Sequence, residues 1–196
     1  MNISFLLGIL AGFLQLAAYI LYGKQIFHGE SRPNTAAWSV WTCLAILGST
    51  SYAVMTDDPA KYFLPLASAM ATVCIFVYAL STGKFRQIDT LGWFTFGLCF
   101  FAGFAWWLFR SATFANILSV GIVAVSFIPI YRTLWKNPSH EKSLSWFVWA
   151  SAYTFLALVV ILRWDGNFVC LIYPLTMIPL HLAVALMTLH KRHILA

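Results

Sequence analysis

The sequence predicts an all-α integral membrane protein of seven transmembrane helices, built as two parallel three-helix repeats joined by a linker helix, a 3+1+3 plan. Three observations carry this reading. The first is composition: 61% of the residues are apolar, 17% are aromatic and only 9% are charged, too few polar groups to cover a water-facing surface. The second is the presence of seven apolar stretches, at about 3–22, 37–55, 61–80, 92–110, 113–135, 146–163 and 168–189. Each is close to the roughly 20 residues a helix needs to cross a hydrocarbon core of about 30 Å. The third is an internal repeat.

The stretches are continuous and lack in-out alternation, which argues for helices and against a membrane barrel. No basic residue precedes the first stretch and it runs a full span before Lys24, so it is read as a retained helix and not a cleaved signal peptide. It contains Gly8-x-x-x-Gly12, a spacing that lets helices approach closely, within the fold or in a homo-oligomer. The second and sixth stretches open on W-x-x-W, Trp38 with Trp41 and Trp146 with Trp149, each behind a polar lead-in. The fourth ends on the Trp106-Trp107 pair, which with Trp135 fits the aromatic belt of a membrane interface.

The repeat places Trp38 and Trp41 against Trp146 and Trp149 at an offset of 108 residues, with Val40 against Val148 and Asp57 against Asp165. At an offset of 109, Tyr22 meets Tyr131, Pro65-Leu66 meets Pro174-Leu175, and Thr72 meets His181. Residues 1–81 then form the first three-helix repeat, 82–111 the linker helix and 112–196 the second repeat with a short tail. An odd linker gives both repeats the same direction across the membrane, and such repeats place a substrate site at their interface near mid-membrane.

Nine Lys and Arg residues lie on one side: Lys24, Arg32, Lys84, Arg86, Arg132, Lys136, Lys142, Lys191 and Arg192. Three lie on the other: Lys61, Arg110 and Arg163. The positive-inside rule puts the N-terminus outside and the C-terminus in the cytoplasm, and the net charge of +6 needs no nucleic-acid partner. Arg110 and Arg163 are expected to snorkel to the outer interface. Cys43, Cys74, Cys99 and Cys170 stand singly, without C-x-x-C or clustered His, so neither a metal site nor a disulfide framework is indicated.

The 3+1+3 plan, with its outside N-terminus, resembles the SWEET and PQ-loop superfamily of small seven-helix transporters over nearly the whole chain. The segment FIPIYRTLWKNPSHEKSLSW is similar to a PQ-loop repeat, with Pro129 at the proline position and Lys142, Ser143, Leu144 and Ser145 resembling the K-S-x-x-G-L-S tail. Ile130 replaces the glutamine, and Ile20-Leu21 replaces the Pro-Gln pair of the first copy. The resemblance implies a carrier: SWEET members move sugars, related folds move vitamins or amino acids, and the KDEL sorting receptor uses the same fold without transport. The mid-helix asparagines of the sugar carriers are missing, with Thr72 and His181 nearby.

Prolines inside spans bend helices, so Pro65, Pro129, Pro174 and Pro179 are the expected hinges of an alternating-access motion. The two W-x-x-W pairs admit two readings, interface anchors or cavity lining and a cytoplasmic gate. Polar residues within spans tend to face the bundle interior; these are Gln15, Ser68, Thr72, Asn116, Tyr153, Thr154, Thr176 and His181. His181 can exchange a proton near neutral pH or be a structural histidine. All six acids fall in loops or at helix ends, which favours facilitated uniport over proton coupling. No nucleophile, metal triad or phosphate loop can be assembled, so an enzyme is not expected, nor is a cofactor. The expected function is transport of a small polar or planar metabolite across a bacterial inner membrane. A sugar carrier is the alternative substrate reading, and a non-transporting sensor or adaptor the alternative class.

Overall fold

The structure is a computed structural model and describes residues 2–31, 35–81 and 90–190. Among these residues every regular element is helical. In order they are α1 (Ile3–Phe27), α2 (Thr35–Thr56), α3 (Pro59–Ser81), α4 (Thr90–Phe109), α5 (Ala112–Ser126), α6 (Ile128–Lys136), α7 (Ser143–Leu162) and α8 (Val169–His190). A single 3-10 turn, Pro138–His140, precedes α7. Each of the seven expected segments falls on one helix, the fifth on the α5–α6 pair. Of the charges used to orient the chain, Arg32, Lys84, Arg86, Lys191 and Arg192 lie outside the described residues.

Five runs are long and apolar enough to cross a membrane: Ile3–Phe27, Pro59–Tyr78, Ala112–Lys136, Ser143–Leu162 and Val169–Leu189. The chain is therefore an all-helical, membrane-embedded protein, since a helix satisfies its own backbone groups where lipid offers no partner. The outward surface agrees, because Ile20 on α1, Met70 on α3, Phe100 on α4 and Leu175 on α8 are all large, apolar and exposed. Ser39, Thr42, Ser49, Thr50 and Ser51 make α2 more polar than these five. In α4 the apolar helix stretch is the shorter Gly97–Phe109.

Helix α3 packs between α1 and α2, while α8 packs against α7 on one side and α5–α6 on the other. The two groups meet through α1 on α7 and α2 on α5, and α4 leans on α2 and α5. Helices α1 and α3 approach closely at Gly8. A Cβ on Gly8 would run into the backbone carbonyl of Ala60, which no rotamer can move, whereas one on Gly12 would meet the Phe63 ring. The Gly8-x-x-x-Gly12 spacing thus serves an internal contact.

Proline shapes three of the helices. Pro65 lies inside α3, and Pro174 and Pro179 lie inside α8. Pro129 follows the break between α5 and α6, where Phe127 donates to Ala124 one residue early and Tyr131 resumes the ladder on Phe127. Each proline leaves the carbonyl four residues earlier without its helical donor. For Pro174 that carbonyl belongs to Cys170, and the hydroxyl of fully buried Tyr52 on α2 donates to it at 2.8 Å. The carbonyl freed by Pro174 is thereby tied to α2.

Candidate functional site

At mid-height, where α1, α2, α3, α5, α7 and α8 face one another, lies a chamber. The space open to the centre of a water-sized sphere is about 70 Å³, and one water needs roughly 10–15 Å³ on that measure. It therefore holds a few waters or one small molecule. Its aromatic wall is Trp38, Trp41, Phe127 and Trp149; its polar wall is Tyr19, Ser68, Thr72, Tyr153, Tyr173 and His181. Leu44, Ala45, Gly48, Ser49, Pro65, Val123 and Met177 complete it. No carboxylate, ammonium or guanidinium is among these residues.

The polar wall is one directional chain of hydrogen bonds. Thr72 donates to the Ser68 carbonyl at 2.7 Å, so its oxygen accepts from the Tyr19 hydroxyl at 2.6 Å. Tyr19 in turn accepts from the Ser68 hydroxyl at 2.9 Å. Ser68 then needs a donor, and the Gln15 amide nitrogen supplies it at 3.0 Å while also reaching the Tyr153 hydroxyl at 3.3 Å. This order requires the Gln15 amide to turn its nitrogen towards Ser68. The Gln15 carbonyl oxygen is buried without a partner among the described residues. Gln15 thus stands behind the wall and aligns the hydroxyls that form it.

His181 is held by a 2.8 Å contact between Nδ1 and the Met177 carbonyl. A carbonyl only accepts, so Nδ1 carries the hydrogen and Nε2 of the uncharged ring keeps its lone pair. Four aromatic rings surround the imidazole, with centroids at 5.1 Å for Tyr153, 5.2 Å for Phe127, 5.6 Å for Trp146 and 5.7 Å for Trp149.

Towards the start of α2 and α7 the chamber ends on packed rings. Tyr22 stacks on Trp38 at 5.1 Å, Trp146 meets Trp149 at 5.0 Å, and Trp41 meets Trp146 at 6.2 Å. The two W-x-x-W pairs therefore converge. Trp38, Trp146 and Trp149 are buried, so they occupy the interior and not a surface belt, whereas Trp135 is 78% exposed. Below this layer lies Glu141, buried, accepting from the Tyr22 hydroxyl at 2.8 Å and the Trp146 indole at 3.4 Å. Burial pushes its carboxyl up to about 8, although neighbouring Tyr22, Ser31 and Trp146 pull it back part of the way. Beside it, Gln25 accepts from Ser145 at 3.0 Å and from Ser31 at 3.3 Å.

The opposite end is held by charge. Lys61, with its side chain 2% exposed, is paired with Asp165, and Arg163 bonds Asp58 at 2.6 Å and Ser4 at 3.2 Å. Both pairs join the α2–α3 connection and the head of α3 to the α7–α8 connection. The Lys61 ammonium also holds the Asp165 carboxyl below the usual carboxylate range, chiefly through its hydrogen bond. Arg163 is thus engaged with protein partners where snorkelling was expected. Arg110 lies 5.9 Å over the Trp107 ring.

Of the residues singled out from sequence, Trp38, Trp41, Trp149, Ser68, Thr72, Tyr153, His181 and Pro65 line the chamber. Trp146 is one layer below it, and Gln15 one layer behind. Asn116 lies elsewhere, bracing α5 on α2 through the Gly48 carbonyl at 3.4 Å and the Ser51 hydroxyl at 3.5 Å. Pro129, Pro174 and Pro179 shape the helices without facing the chamber, and Thr154 is exposed and bonds its own helix. Sequence reasoning missed Tyr19, Tyr173, Phe127 and the buried state of Glu141. For Tyr19 a signal existed: Gln15, Tyr19 and Tyr22 recur at helical spacing and share one face of α1. No protein-family model, curated protein or solved structure matches the chain.

Proposed function

We propose that the protein is a small-solute transporter working by alternating access, in which α2 and α4 also cross the membrane and give seven spans. The observation that carries this reading is a ligand-sized chamber whose wall draws on both groups of helices, with a different fastening at each end. Charge pairs close one end and an aromatic layer the other, so each can open while its counterpart holds.

The element boundaries support a repeat. Helix α1 and the α5–α6 rod begin 109 residues apart, α2 and α7 begin 108 apart, and α3 and α8 begin 110 apart. The third helix is central in each group, and the groups meet through first helix on second in both directions, as a two-fold relation requires. The 3+1+3 plan of the SWEET and PQ-loop superfamily has this form. We read α4 as the linker, the N-terminus as outside and the membrane as a bacterial inner membrane. Because no described residue of the chamber wall is a carboxylate, uniport is the proposed mode, with Pro65 and Pro174 as hinges. A non-transporting receptor on the same fold remains the competing class.

Binding is tested by thermal unfolding of the purified protein with sugars, vitamin precursors, amino acids and nucleosides. A ligand at a hundred times its dissociation constant adds about 2.7 kcal/mol of stability. The expected result is a shift from an uncharged solute that vanishes in Trp149→Ala and Trp38→Ala variants. A shift of equal size in both variants would sink the assignment of the chamber as the site.

A further inference from the structure

We infer that the chamber selects a flat, uncharged ring whose edge presents a hydrogen-bond donor beside an acceptor, as a lactam or cyclic imide does, with His181 Nε2 reading the donor and the Tyr153–Tyr173 hydroxyls the acceptor. The inference rests on the transporter reading and deepens it. Its basis is what the wall leaves unused.

His181 spends its only ring hydrogen on the Met177 carbonyl, so Nε2 offers a lone pair that no described residue takes up. Tyr153 and Tyr173 share one contact, 3.3 Å between hydroxyl oxygens, long for an O–H···O bond. Tyr153 already accepts from Gln15, and a single contact uses only one of the two hydroxyl hydrogens. At least one hydrogen is free for a ligand oxygen. Buried donors and acceptors without partners are costly, and a ligand that matches them regains that energy.

Shape and polarity narrow the class. Trp38, Trp41, Phe127 and Trp149 present aromatic surface, which favours a flat ring by stacking. No described residue of the wall carries a charge, so an anion would lose its hydration without return. A polyol of similar size would bury more hydroxyls than the few free groups can satisfy. A lactam edge spends one N–H and one C=O, which is what the wall has spare.

The test uses the full-length protein in nanodiscs, with uracil, 1,3-dimethyluracil and glucose as probes in binding and in liposome counterflow. Methylation keeps the ring and both carbonyls but removes the N–H donors. The expected result is saturable binding of uracil, with 1,3-dimethyluracil weaker by about tenfold or more, since a site built to bond a polar group rejects the analogue that lacks it. His181→Phe should bring the two affinities together, and Tyr153→Phe should weaken both. The melting temperature of each variant without ligand checks that it folds, and either variant alone suffices for the comparison. Equal affinity of the wild type for uracil and its dimethyl form overturns the inference. Binding and counterflow of glucose with neither ring bound also overturns it but leaves the transporter reading standing. Absence of binding and counterflow for all three removes the proposed selectivity, and silence across the wider solute panel removes the transporter reading with it.

Discussion

Relative to the Glu141→Gln variant, wild-type protein loses stability as the pH rises from about 5 to 8. The carboxyl of Glu141 is raised to about 8 by burial, whereas in the unfolded chain it titrates near 4.3. Between those values the folded state keeps a proton that the unfolded state has released. The contribution of this carboxyl to stability therefore falls with rising pH through this window and levels off above about 8. One proton contributes roughly 1.4 kcal/mol per pH unit, so the fall over three units is on the order of 4 kcal/mol at most. The groups facing the carboxyl are the Tyr22 hydroxyl from α1, the Trp146 indole from α7 and Ser31 from the α1–α2 connection. The adjacent Lys142 ammonium is directed to Glu30 at 3.9 Å. Gln has the shape of the neutral acid and does not titrate; its one carbonyl oxygen accepts from the Trp146 indole while its NH2 donates to the Tyr22 oxygen. Thermal melts of both proteins across this pH range decide the matter, and parallel slopes would show that Glu141 is not the group responsible.

Asp165→Asn costs about 3 kcal/mol, and adding Lys61→Met recovers most of the loss. Lys61 is almost fully buried while the Asp165 carboxylate is 43% exposed. Removing Asp165 strands a buried ammonium, and breaking a buried pair costs roughly 3–5 kcal/mol. Water around Asp165 screens the attraction and places the loss at the low end of that range. An apolar side chain at position 61 no longer needs the carboxylate, which is why the double variant recovers. Unfolding of the four proteins in one detergent forms a complete double-mutant cycle. A loss that simply adds in the double variant would mean that the two side chains do not act as a pair.

The helices were legible because each apolar run is bounded by polar or turn-forming residues, and the Trp pairs were legible because the same W-x-x-W spacing follows a polar lead-in twice. Which way those indoles face was not legible, since an interface belt and an interior layer require the same residue at the same depth. Contacts over long sequence separations supplied the rest. Glu141 reads as a wet loop carboxylate beside Lys142 and His140, and only the fold brings Tyr22 over it from 119 residues away. Lys61 reads as one of three outer charges, yet its partner lies 104 residues further on. Tyr173 is one aromatic among many, and its repeat equivalent is Leu64, so symmetry did not mark it. The repeat did match Asp57 with Asp165, but Asp58 is the one that pairs across the junction, with Arg163.

Counterflow in proteoliposomes tests the central claim most directly, because only a carrier that exposes one site alternately to both sides exchanges solute against a loaded pool. The expected result is accumulation of labelled uracil or another uncharged solute in vesicles preloaded with the same unlabelled solute. That accumulation should need no pH gradient, be lost in Trp149→Ala and be slowed in the Pro65→Ala, Pro174→Ala double variant. Ligand binding to the chamber without any counterflow would contradict transport and leave a membrane receptor on this fold.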